Sequence, residues 1–135
     1  MKTILLFCFA IMMLMGGFSC NAQTQKKETP VATSDDIGVY YFHFSARCVT
    51  CKTVEAEAKA DVQNLYNGEV SFKAINLDDD SSKAIAEKLK ISGQTLLIVK
   101  GDKKINLTNE GFMYAMSNPA KFKSIIKEKI DVLRN

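Results

Sequence analysis

The stretch GVYYFHFSARCVTCKTVEAEAKADVQNLY, residues 38–66, constrains this chain more than any other. It opens on a run of β-branched and aromatic residues, apolar on both faces, as in a strand buried at the centre of a sheet. The period then changes. Val54, Ala58, Val62 and Leu65 recur at helical spacing, with Glu55, Glu57, Lys59 and Asp61 between them. Cys48 and Cys51 stand where strand gives way to helix. A pair so placed can close a disulfide, hold a metal or simply pack, and no other part of the sequence offers comparable chemistry.

The rest of the pattern alternates in the same way. Asn67-Gly68 ends the first helix. EVSFKAINL is a second strand, and DDDSSKAIAEKLK a second helix with Asp80 or Ser81 as N-cap and Ile85 and Leu89 as its buried stripe. TLLIV is another central strand, and KGDK turns tightly into an edge strand, KINL. Asn118-Pro119 starts a last helix whose Phe122, Ile125, Ile126, Ile130 and Leu133 share one face. The expected fold is α/β, in the order β-α-β-α-β-β-α. A β-α-β start implies a parallel pair and the later hairpin adds antiparallel strands, giving a mixed central sheet flanked by helices.

Residues 1–20, MKTILLFCFAIMMLMGGFSC, read as a secretory signal: a lysine, an apolar stretch, then small residues. Cys20 follows GGFS as in a relaxed lipobox, which makes it the candidate lipidation site and the chain a membrane-anchored lipoprotein; the other reading is ordinary cleavage after Ala22. Residues 21–36, NAQTQKKETPVATSDD, are polar and form a flexible linker, with a coil span on the order of 20 Å. Residues 37–135 make one domain. The formal net charge of +3 is dispersed, so nucleic acid is not an expected partner. Export to a periplasmic or other outer compartment is oxidising, and only Cys48 and Cys51 stay in the folded part. They are read as a unit.

At the start of a helix, Cys48 faces unpaired backbone N–H groups and the positive end of the macrodipole, which favours thiolate over thiol. Arg47 and Lys52 add positive charge. Cys51 lies one turn further on and suits the resolving role in thiol–disulfide exchange. His43, the single histidine, is expected as a core histidine or as a group tuning the thiolate. With Cys48 and Cys51 it falls short of the four ligands of structural zinc. Met113 and Met116 are expected to pack, their alternative being soft-cation ligands, and Asp78, Asp79 and Asp80 to be solvated capping charges.

HFSARCVTCK and TLLIVKGDKKINL, in this order of strands and helices, resemble the thioredoxin-fold superfamily across residues 37–135. The resemblance implies a redox-active Cys48–Cys51 disulfide with Cys48 as nucleophile. It also places Gln94 and Thr95 opposite the cysteines, facing substrate. Three positions depart from it: Arg47 stands for the usual tryptophan, Phe42 for the buried acid, and Gly93-Gln94-Thr95 lacks the proline that docks substrate. More narrowly, YYFHFSARCVTCKTVE with SGQTLLIVKGDKKINLTN resembles the nitrophenyl-compound nitroreductase subunit (ArsF-type) family of bacterial arsenic-resistance operons. That resemblance implies a redox role beside a partner protein in reducing nitroaromatic arsenicals. No nucleotide- or flavin-binding motif is visible, so no cofactor beyond the disulfide is expected and the electrons come from elsewhere. The competing reading is a vicinal-dithiol module that binds As(III) or Cu(I) without turnover.

Overall fold

A computed structural model describes residues 35–135; the signal expected over 1–20, Cys20 and nearly all of the linker lie outside the described residues. The elements are β1 (Ile37–His43), α1 (Val49–Tyr66), β2 (Ser71–Asn76), a 3₁₀ turn (Asp80–Ser82), α2 (Lys83–Leu89), β3 (Thr95–Lys100), β4 (Lys103–Asn106), α3 (Thr108–Tyr114) and α4 (Pro119–Arg134). The sheet is mixed, in the order β2-β1-β3-β4. β1 runs parallel to β2, with Gly38 beside Ser71 and His43 beside Asn76, and antiparallel to β3, with Phe42 beside Thr95. β4 is an edge strand, antiparallel to β3 and joined to it through a turn at Gly101 with φ 56°.

The two-faced apolar character of β1 has a simple cause: each face meets its own core. Ile37, Val39 and Tyr41 pack with Val54, Ala58 and Val62 of α1 and with Phe122, Ile126, Ile130 and Leu133 of α4. Tyr40 and Phe42 point the other way, to Ile75, Ile85, Leu89, Leu97 and Val99. Successive side chains of a strand alternate between faces, so six consecutive buried residues require cover on both. α4 begins as its sequence directs, with Pro119 in the first turn and Asn118 Oδ1 accepting the Lys121 N–H at 3.1 Å. α1 ends at Asn67, whose φ of 47° is left-handed, ahead of Gly68.

Three details differ from expectation. The sequence pattern contains no helix over 108–114, yet α3 is there, so the observed order closes with two helices. Its Gly111 is the reason: a Cβ on that residue would lie 2.9 Å from Val54 Cγ1, and only its absence lets α3 approach α1. The buried positions of this segment are Gly111 and Ala115, too small to read as an apolar stripe, while Met113 and Met116 are each 55% exposed rather than packed. Neither Asp80 nor Ser81 caps α2. The Ser82 hydroxyl instead lies within 2.6 and 2.7 Å of the Asn76 and Asp79 carbonyls, drawing the loop tight.

Where α1 meets α4, Asp61 is only 6% exposed. Its Oδ1 lies 3.8 Å from Lys123 Nζ, and its Oδ2 is buried with no hydrogen-bond partner among the described residues. Burial pushes the Asp61 carboxyl above its usual range, partly opposed by the Lys123 charge. A folded-state pKa above the unfolded value contributes stability that is full at low pH and lost as pH rises through the raised value. Asp61→Asn is therefore expected to raise the neutral-pH melting midpoint by a few degrees, with the gain shrinking on acidification toward about pH 4. Thermal unfolding at several pH values measures both.

Candidate functional site

The site lies at the C-terminal end of β1, where residues 44–47 carry the chain into α1. Two contacts from the β2 end anchor this loop. The Ser45 N–H donates to Asp78 Oδ2 at 2.7 Å, and Asn76 Nδ2 donates to Ser45 Oγ at 3.0 Å. The Leu77 N–H also donates to the His43 carbonyl, at 2.7 Å. Asp78, expected only as a solvated charge, thus holds the approach to the cysteines, and the bond from the Ser45 backbone keeps its carboxyl below the usual range. Asp80 matches expectation more closely, pairing at the surface with Lys83 at 2.7 Å.

Cys48 and Cys51 form a disulfide, their Cα atoms 5.1 Å apart. Cys48 is the N-cap of α1, and its Sγ accepts the Cys51 N–H at 3.1 Å. A sulfur in that place takes the part usually played by a serine or aspartate oxygen, and it sits at the positive end of an 18-residue helix. The two cysteines differ in access. Cys48 is exposed, as are Phe44 in the preceding loop (40%) and Val49 next to it (73%), whereas Cys51 is 5% exposed. An incoming thiol or disulfide meets Cys48 first.

The Cys51 carbonyl is tied to distant parts of the chain by side-chain hydrogen bonds. Tyr41 of β1 donates its hydroxyl to the Cys51 carbonyl at 2.9 Å, and Gln94 Nε2 donates to the Tyr41 oxygen. Burial pushes the Tyr41 phenol up, while the Gln94 hydrogen bond and the Arg47 charge pull it down. Gln94 is thus tied to the cysteine pair through an intermediary. Thr95 is buried as the first residue of β3, and its hydroxyl donates to the Gly93 carbonyl at 2.9 Å, within its own turn. Arg47 forms a salt bridge with Glu55, two turns along α1, the side chains being 17% and 23% exposed. His43 Nδ1 donates to the Phe44 carbonyl at 3.0 Å, and its ring centroid lies 6.1 Å from that of Tyr41. Its hydrogen bond goes to backbone rather than to either sulfur. Among the described residues, no three His, Cys, Asp or Glu side chains are grouped to hold a metal ion.

The site residues that sequence reasoning missed are Tyr41 and Glu55. Tyr41 sits in an apolar strand with nothing local to separate it from the core tyrosine beside it. Its partner Gln94 is 53 positions away. Glu55 carried one available signal: it falls four residues after Cys51, on the same helix face.

No family model and no curated protein matches this sequence. Among solved structures, the chain is similar to one titled "Structure of a malarial protein", with 20% identity and a TM-score of 0.41, over 52% of this chain and 75% of that one.

Proposed function

We propose that the chain is a thioredoxin-like thiol–disulfide exchange protein working through Cys48 and Cys51. The observation that carries this reading is the asymmetry of the pair: an exposed sulfur at the N-cap of α1 joined to a buried one. The helix N-terminus favours the Cys48 thiolate, which attacks a partner disulfide; Cys51 then attacks the mixed disulfide and releases the partner reduced. The mixed sheet with a β-α-β start supports the thioredoxin-like reading of the fold. The proposal extends, on the sequence resemblance, to a redox partner protein and to the reduction of nitroaromatic arsenicals. It extends further, on residues 1–36, to export and to a lipid anchor at Cys20 on the outer face of a membrane. An equilibrium redox titration tests the central reading. A pair that reduces readily but exchanges slowly would favour the rival, a dithiol module that chelates As(III) or Cu(I).

A further inference from the structure

The disulfide holds Cys48 and Cys51 together when oxidised, but exchange requires a state in which that bond is open. The backbone of Cys51 has two tethers of its own. Its N–H donates to Cys48 Sγ at 3.1 Å, and its carbonyl accepts the Tyr41 hydroxyl at 2.9 Å. The second tether comes from outside the helix, because Tyr41 is fully buried in β1, between β2 and β3 in the sheet. A carbonyl inside a helix already serves the N–H four residues on, so α1 does not need this bond in order to form. A phenylalanine would fill nearly the same core volume. The phenol has one proton and gives it to the Cys51 carbonyl, so any further partner must donate to its oxygen, and Gln94 Nε2 does. Gln94 is held in turn: the Thr95 hydroxyl closes its turn onto the Gly93 carbonyl at 2.9 Å, and Thr95 is paired with Phe42 in the sheet. One hydrogen-bonded line therefore runs from the turn ahead of β3, through β1, to the first turn of α1.

We infer that Tyr41 is a positioning residue for the second step of exchange: it anchors the backbone of Cys51 to the sheet while the disulfide is open, and Gln94 fixes the direction of its hydroxyl. The inference rests on the exchange reading for its use, while the closure it concerns takes place within one chain. In the first step the Cys48 thiolate attacks a disulfide, forms a mixed disulfide and releases one thiolate. The covalent link between Cys48 and Cys51 is then absent. In the second step Cys51, its proton passed to the buffer, attacks Cys48 Sγ. The intramolecular disulfide forms, the mixed disulfide breaks, and its electron pair leaves on the second thiolate. The substrate disulfide is reduced by two electrons and the cysteine pair is oxidised by two. The rate of this closure depends on how much of the time Cys51 is held within reach of Cys48, which is what an anchored backbone supplies. The first step uses only Cys48 and does not depend on the anchor.

The test is a stopped-flow reaction of the reduced full chain with one equivalent of a small aromatic disulfide, at fixed pH, following the coloured thiolate released. Cys8→Ser and Cys20→Ser are included throughout so that only the pair reacts. The first release reports attack by Cys48 and the second reports closure by Cys51. Tyr41→Phe is expected to leave the first rate unchanged and to slow the second roughly two- to tenfold, the worth of one hydrogen bond. Gln94→Glu is expected to slow the second release as well, because a carboxylate accepts but does not donate, and it draws the tyrosine proton away from the Cys51 carbonyl. Selective slowing of closure in both variants supports the assignment. Both releases slowed alike, or closure unchanged in Tyr41→Phe, would overturn it and make Tyr41 a core aromatic whose hydroxyl merely finds partners. Slowing by Tyr41→Phe with none by Gln94→Glu would overturn the part given to Gln94. Closure needs no partner protein, so selective slowing in a chain that fails the redox titration would count against the proposed function alone.

Discussion

Cys48→Ser is expected to bring disulfide exchange down to the uncatalysed background, and Cys51→Ser to stop it at a different point. The difference follows from access and position. Cys48 is the exposed sulfur at the helix N-cap, so without it no nucleophile reaches a partner. With Cys51 removed, Cys48 can still attack, but nothing resolves the adduct and a mixed disulfide accumulates. Cys51 alone should not replace Cys48, since it is 5% exposed, with its carbonyl bonded to the Tyr41 hydroxyl. Incubating each variant with a small aromatic disulfide, and measuring turnover and adduct mass, separates these outcomes. An adduct on Cys51 in the Cys48→Ser chain would reverse the assigned roles.

Phe122→Ala is expected to have the largest effect on stability. Phe122 is fully buried in α4, in the cluster that joins α4 to α1 and to the Ile37, Val39 and Tyr41 face of β1. Its ring is also close to the glycine that lets α3 approach, 3.5 Å from where a Gly111 Cβ would stand. Neighbours held on several elements cannot all collapse into the space left by a lost ring, so a cavity term adds to the lost transfer term. The expected cost is about 3–5 kcal/mol, a large share of the roughly 5–15 kcal/mol that stabilises a domain of this kind. Urea unfolding gives the value. A loss under about 1 kcal/mol would mean that α4 is not clamped to the sheet in the way described.

The parts of this fold that were legible in the sequence are those with a period. β1 announced itself by apolar residues on both faces, α1 and α4 by stripes and by the Asn67-Gly68 and Asn118-Pro119 boundaries, and the Cys48–Cys51 pair by its place between two periods. α3 was not legible, because its buried side is made by Gly111 and Ala115 and its methionines face outward; small residues that permit close approach leave no apolar stripe. The site was half legible for a related reason. Cys48, Cys51, Arg47 and Gln94 carry chemistry on their faces, but the groups tying them together do not. Tyr41 is indistinguishable from a core aromatic until Gln94 and the Cys51 carbonyl are placed around its hydroxyl. Arg47 was assigned from its neighbour in sequence, Cys48, whereas its ion pair is with Glu55, reached only once the helix is built.

The most direct test of the account is an equilibrium redox titration of the Cys48–Cys51 disulfide against defined thiol–disulfide buffers, followed by thiol alkylation. The account predicts a reversible two-electron couple between roughly −120 and −300 mV, lost in Cys48→Ser. A disulfide that stays closed well below that range would make the pair a structural staple and contradict the proposed chemistry.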